Sequence, residues 1–180
     1  MHPDIERVLL TRQEIQERVA VLGKDISKDY QGKELLAIGV LKGSVVFLAD
    51  LLRVLTVPVE LDFIAVSSYG AASSSAGIVR ILKDLDRTVK EREVLLVEDI
   101  VDTGLTLKFI TEHLNSQKPV GVRVCSLLDK PSRRKVDVHI DYLGFSVPDE
   151  FMVGYGLDFA GRYRNLPDVC VLRRAVYGGG

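Results

Sequence analysis

Two cysteines in 180 residues leave little material for a disulfide scaffold or a metal finger. Cys125 and Cys170 both sit in apolar runs, "VRVCSLL" and "DVCVLRR", and no CxxC spacing occurs. Each reads as a small buried hydrophobe. No stretch is apolar for long enough to span a bilayer. The N-terminal "MHPDIERVLLTRQEIQERVA" is charged and has no signal-peptide core, so the expectation is a cytoplasmic chain without a membrane partner. An excess of one charge is also missing. The formal net charge is -1, which argues against broad nucleic-acid or membrane binding while leaving room for a local basic site. Neither G-x-x-x-x-G-K-[ST] nor G-x-G-x-x-G is present, which excludes a Walker-A triphosphate loop and the dinucleotide fingerprint. No internal repeat is legible.

What is present is the balance of an ordinary globule, 47% hydrophobic and 27% charged, in a length that suits one domain. Thr11 to Glu14 has the S/T-x-x-E form of a capping box and should open a helix to about Asp29. "ELLAIGVL" (34–41) is short and continuously apolar, a buried strand. "KGS" leads into a helical pattern over 45–55, stopped by Pro58. Strands follow at 59–69 and in "IVRILKDL", on either side of "GAASSSAG" (70–77). That small-residue stretch has no apolar anchor to repay its ordering entropy and reads as a mobile loop. "EVLLVEDI" (93–100) is the clearest buried strand, a helix runs from Gly104 to about Ser116, and 120–129 is again a strand. "DVHIDYLGFSV" and "EFMVGYGLD" are shorter strand-like pieces.

Strands alternate with helices from 34 to 129, which predicts an α/β fold with a mostly parallel central sheet flanked by helices. In such sheets ligands bind beyond the carboxyl ends of the strands, where the strand order reverses. The final 50 residues break the alternation and are expected to form a small antiparallel lobe over the site.

One strand end stands out. "LLVEDIVDTGLTL" (95–107) passes from an apolar strand through Glu98, Asp99 and Asp102 into Thr103, Gly104, Leu105 and Thr106. Its second half presents backbone N–H groups and two hydroxyls at a helix start, a cradle for an anion. With no lysine after it, the loop suits a single monoester phosphate. The carboxylates of Glu98 and Asp99 read either as a solvated strand end or as acceptors for a diol and a hydrated magnesium ion. A ribose carrying a phosphate at one end and vicinal hydroxyls in the middle meets both demands. Asp102, read locally, is a helix cap.

The same stretch resembles the phosphoribosyl-diphosphate signature of the type I phosphoribosyltransferases, and more narrowly their hypoxanthine-guanine branch, where an aspartate occupies the place of Asp102. The resemblance extends from "LKGS" to "GRYRNL". It implies one phosphoribosyltransferase domain over 1–180, with a core at about 30–130 and a hood from the N-terminal segment and about 131–180. It implies that Asp102 faces N7 of a purine as general base, and that Thr103, Gly104, Leu105 and Thr106 hold the 5′-phosphate. Some relatives have lysine where this chain has Leu105, which removes a charge but leaves the N–H cradle. "LKGS" (41–44) matches the diphosphate loop, with Lys42 and Gly43 offering backbone N–H groups and the Leu-Lys peptide often cis. "SSYG" places Ser68 and Tyr69 in a loop that closes over the diphosphate and excludes water.

"LLDKPSRR" places Lys130 on the exocyclic oxygen of the base, which favours a 6-oxopurine over adenine. "PDEFMVGYGLDF" places Phe151 against the purine face, Met152 beside it through its backbone, and Asp158 near the purine 2-position and a magnesium ion. Arg164 in "GRYRNL" matches the diphosphate-binding arginine. The metal set implied is Glu98, Asp99 and Asp158. The implied reaction is transfer of the phosphoribosyl group from phosphoribosyl diphosphate to N9 of hypoxanthine or guanine in a homodimer or homotetramer. A xanthine-preferring enzyme stays open, because Lys130 reads only the oxygen. A regulator that kept the site but lost catalysis would need a DNA-binding addition or an extended basic face, and neither is legible.

Overall fold

The computed structural model describes residues 2–69 and 78–178. The first strand, β1 (Ile5–Leu10), runs into α1 (Arg12–Asp29) through the capping box expected at Thr11. Thr11 Oγ1 accepts from the Glu14 N–H at 3.3 Å, and the Glu14 carboxylate accepts from the Thr11 N–H at 2.8 Å. The helix buries Ile15, Val19, Leu22 and Ile26 along one face. Next come β2 (Leu35–Leu41), α2 (Val45–Val54), β3 (Val59–Tyr69) and β4 (Ile78–Lys83). Then follow β5 (Glu93–Val101), α3 (Leu105–Ser116) and β6 (Gly121–Asp129). A 3₁₀ turn (Pro131–Arg133) precedes β7 (Tyr142–Ser146), β8 (Met152–Val153), β9 (Val169–Leu172) and the one-turn α4 (Arg174–Tyr177). Among the described residues no helix is long and apolar enough to cross a membrane.

The main sheet has the order β4-β3-β2-β5-β6-β7. Its pairings are parallel except for the antiparallel β3–β4 edge. β2 and β5 are buried along nearly their whole length, as continuous apolar runs in a two-faced sheet should be. One core packs α1 and α2 against one face around Phe47, Leu48 and Leu95. The other packs α3 through Leu107, Ile110 and Leu114 onto Ile38, Val94 and Leu96. The chain leaves β2 toward β3 on one side and returns to β5 on the other. The reversal therefore lies between β2 and β5, and "LKGS" and "EDIVDTG" both start there.

The final 50 residues depart from expectation in one respect. β7 adds to the main sheet, parallel to β6, rather than to an antiparallel lobe. Its crossover has no helix. Instead Val138 and Ile140 pack on the α3-side core, and the Lys135 N–H bonds to the Thr103 carbonyl at 2.9 Å. Burial of those two apolar side chains does what a crossover helix usually does. The antiparallel lobe is a three-stranded sheet of order β1-β9-β8, drawn from both ends of the chain. Cys125 and Cys170 are free and buried, as their apolar contexts imply. The stretch 70–77, expected to be a mobile loop, lies outside the described residues, as do the side chains of Ser68 and Tyr69.

Candidate active site

The site begins with register. β5 and β6 run parallel with Val101 opposite Asp129, so the next residues, Asp102 and Lys130, leave adjacent strand ends side by side. The Lys130 N–H donates to the Val101 carbonyl at 2.9 Å and fixes that adjacency. Lys130 is only 8% exposed, and its ammonium donates to the Glu150 carbonyl at 2.6 Å. Burial holds its pKa below the ordinary lysine value, while Asp102 and Asp149 pull it back up.

Asp102 does not cap α3. The residue before the helix is Gly104, at φ +84°, with no side-chain cap bond. The Asp102 carboxylate instead accepts from Arg133 Nε at 2.9 Å, and its carbonyl accepts from Arg134 at 2.9 Å. Arg133 also lies 3.7 Å from Asp149. Neither Arg133 nor Arg134 is singled out by local sequence reasoning, although "PSRR" directly after Lys130 carries the signal.

The turn over 103–106 leads directly into α3. The first helical bond of α3 runs from the Lys108 N–H to the Gly104 carbonyl, so the N–H groups of Thr106 and Leu107 precede it and point out of the helix start. Leu105 N–H reaches Thr103 Oγ1 at 3.4 Å. Val40, Leu41, Glu98, Asp99, Asp102 and Thr106 line the same cleft of about 230 Å³.

At the end of β5, Glu98 is 5% exposed and its pKa is pushed well above the ordinary value, first by burial and then by the neighbouring Asp99. Asp99 is pushed up to about 6 by burial, against the N–H groups of Asp99 and Ile100 that favour its ionised form. Burial thus disfavours charge on both carboxyl groups, and a cation beside them would favour their ionised forms. Among the described residues no three metal-ligating side chains cluster together. Magnesium commonly takes one or two carboxylates plus phosphate and water ligands, and Glu98 and Asp99 fit that demand.

The loop after β2 packs onto this pair. The Leu41–Lys42 peptide is cis. A Cβ on Gly43 would stand 1.6 Å from Asp99 Oδ2, so any side chain there would displace the Asp99 carboxylate. The Gly43 carbonyl in turn occupies the space of a side chain at Gly156, where a Cβ would lie 2.1 Å away. Gly156 bonds through its N–H to the Arg164 carbonyl at 3.0 Å, and its own carbonyl accepts from the Arg164 guanidinium at 2.6 Å. Arg164 also pairs with Asp158 at 2.7 Å, and Asp158 accepts from the Gly161 N–H at 2.7 Å. Arg164 and Asp158 are thus held as a pair beside Asp99, and both influence its titration.

The chain matches the family of the phosphoribosyl transferase domain over residues 9–160. It belongs to that family. Over 177 residues it is 50% identical to the hypoxanthine-guanine phosphoribosyltransferase of Bacillus subtilis (strain 168), covering 98% of each chain. The enzyme of the same name from Mycobacterium bovis is 51% identical over 180 residues, with 97% of this chain and 89% of that one covered. A crystal structure of a hypoxanthine phosphoribosyltransferase from Staphylococcus aureus superposes with a TM-score of 0.95 at 47% identity, covering 99% and 97% of the two chains.

Within this phosphoribosyl transferase, a second cavity of about 460 Å³ shares Asp102 with the first cleft and is lined by Lys130, Arg133, Asp149, Phe151 and Tyr177. Phe151 and Val171 of β9 line it, and Met152 does not: the Phe151 carbonyl accepts from the Leu172 N–H at 2.9 Å, and Met152 is buried opposite Val171. Glu150, between Asp149 and Phe151, is gripped by Arg7 of β1 through two bonds of 2.7 and 2.6 Å. Arg7 and Tyr177 are both absent from what the sequence alone suggests.

Proposed function

We propose that the protein salvages 6-oxopurines, transferring the 5-phosphoribosyl group from phosphoribosyl diphosphate to N9 of hypoxanthine or guanine and releasing diphosphate. The observation that carries this is the adjacency of Asp102 and Lys130 at the end of one cavity, with the anion cradle at the end of another that shares Asp102. A planar base presenting an imidazole N7–H and a 6-oxo group meets an acceptor and a donor side by side. Adenine would set an amino group against an ammonium.

The roles divide by location. The 103–106 turn holds the 5′-phosphate through its N–H groups and hydroxyls, and Glu98 and Asp99 accept from the ribose diol. Lys42, Gly43 and Arg164 take the diphosphate, with Ser68 and Tyr69. Glu98, Asp99 and Asp158 would hold a magnesium ion, which would supply neutralisation of the diphosphate charge. Phe151, Met152 and Lys130 orient the base, and Asp102 accepts its proton and returns it in the reverse direction. The reacting centre at C1′ develops positive charge, so most of the rate comes from positioning and electrostatic stabilisation. We read the whole chain as one such domain, active in the cytoplasm as a homodimer or homotetramer. A monomer at assay concentration would remove that last part.

The test is turnover with phosphoribosyl diphosphate, magnesium and each of hypoxanthine, guanine, xanthine and adenine. Hypoxanthine and guanine should be the best substrates. Adenine in first place would overturn the role of Lys130, and no turnover with any base would overturn the enzyme. Asp102→Asn should lower kcat by about 100-fold or more, the usual scale for a positioned acid–base group. Near wild-type rates would leave Asp102 with a structural role only.

A further inference from the structure

Phe151 has company on its ring. The Tyr177 ring stacks on it with centroids 4.8 Å apart and planes 28° from parallel, while Phe159 meets it edge-on at 5.4 Å and 89°. Tyr177 is 38% exposed, yet it sits against Phe151 and lines the same cavity as Asp102 and Lys130. Its position is built rather than incidental. The Arg173 N–H bonds to the Asp4 carbonyl at 2.9 Å and Arg173 Nε to the Pro3 carbonyl at 3.0 Å, which hooks the start of α4 to the N-terminal turn. Val176 then packs, as Phe151 does, against the small core of Ile5, Val153 and Leu172, and Tyr177 follows it.

We propose that Tyr177 is a positioning residue for the base. Stacked on Phe151, it holds that ring in the orientation a purine needs, so that α4 sets purine affinity without acting on the phosphoribosyl half of the site. The proposal rests on the reading that the base lies against Phe151. An offset aromatic pair contributes beyond simple burial, and its loss corresponds to a change in affinity of about threefold to tenfold.

The experiment is steady-state kinetics of the full chain with magnesium, comparing wild type, Tyr177→Ala, Tyr177→Phe and Phe151→Leu. Purine is varied at saturating phosphoribosyl diphosphate, and then the reverse. Tyr177→Ala should raise KM for hypoxanthine and guanine about threefold to tenfold and leave KM for phosphoribosyl diphosphate within about twofold. Tyr177→Phe, which keeps the ring, should restore the wild-type KM. If Phe151→Leu raises the purine KM and Tyr177→Ala does not, the role of Tyr177 is overturned and the base site stands. A purine KM that falls in Tyr177→Ala also overturns it, because the ring would then be occupying the place of the base. A parallel rise in both KM values would mark Tyr177 as merely structural. If neither substitution moves the purine KM, the placement of the base itself fails.

Discussion

At Glu98 and Asp99 the fold places two adjacent carboxyl groups at the base of a cleft, the first buried and the second half-buried. Both have pKa values above their ordinary ones, chiefly through burial. The consequence for stability has a definite sign. Below about pH 4 an aspartate is protonated folded or unfolded, and the site carries no penalty. As pH rises toward 6, where Asp99 titrates in the folded protein, the unfolded chain ionises first and folding loses free energy. Above that the loss is complete for Asp99, and Glu98 extends the window upward. In chelator and without substrate, Asp99→Asn should therefore melt at higher temperature than wild type at about pH 8, by up to about 3 kcal/mol of stability. The difference should shrink toward about pH 4. Thermal melts across pH decide it. An equal gain at both ends would mean that ionisation is not its origin. The same substitution should lower activity, because it removes an acceptor for the ribose.

At the scale of elements, the sequence was most informative where its signals are local. The capping box at Thr11, the buried runs of β2 and β5 and the helix after Gly104 all come from contiguous patterns, and the parallel sheet follows from their alternation. The hood sheet is different. β1 pairs with β9 between opposite ends of the chain, β8 is two residues long, and no local period announces such a pairing. Asp102 shows the same limit at the site. Its neighbours in sequence suggest a cap, whereas Arg133, which holds it, arrives from the end of the next strand. Contacts between loops are the least legible of all, and Gly43 against Gly156 is one of them. Gly156 lies at φ +100°, and any Cβ there strikes the Gly43 carbonyl. Gly156→Ala should cost about 1–3 kcal/mol of stability and push the diphosphate loop away from Asp99. Its kcat/KM for phosphoribosyl diphosphate should fall by more than about tenfold. Gly32→Ala is the control, with a similar φ of +77° and open space around it. It should lose stability and keep activity. Matching losses of activity in both variants would show that backbone strain, and not the docking of the two loops, is responsible.

On the proposed reading, the two halves of the substrate site come from different parts of the chain. The phosphoribosyl half would lie at the ends of β2 and β5 and the loop carrying Arg164. The base half needs the chain ends, because Lys130 is held by the Glu150 carbonyl and Glu150 is held by Arg7, 143 residues away. That ion pair keeps the Glu150 carboxyl below its ordinary pKa, and it joins β1 to the loop that carries Phe151. Half-exposed pairs of this kind stabilise a fold by at most about 1 kcal/mol, so Arg7→Ala should change the melting temperature little. Its effect should instead fall on the geometry of the loop. KM for hypoxanthine and guanine should rise about twofold to fivefold while KM for phosphoribosyl diphosphate holds, because Arg7 does not line the cleft at Glu98 and Thr106. Glu150→Ala should reproduce the effect, and the double variant should add little to either, since both remove the same link. Additive losses in the double variant, or a rise in KM for phosphoribosyl diphosphate to match the purine, would show that the pair does not act through the base loop.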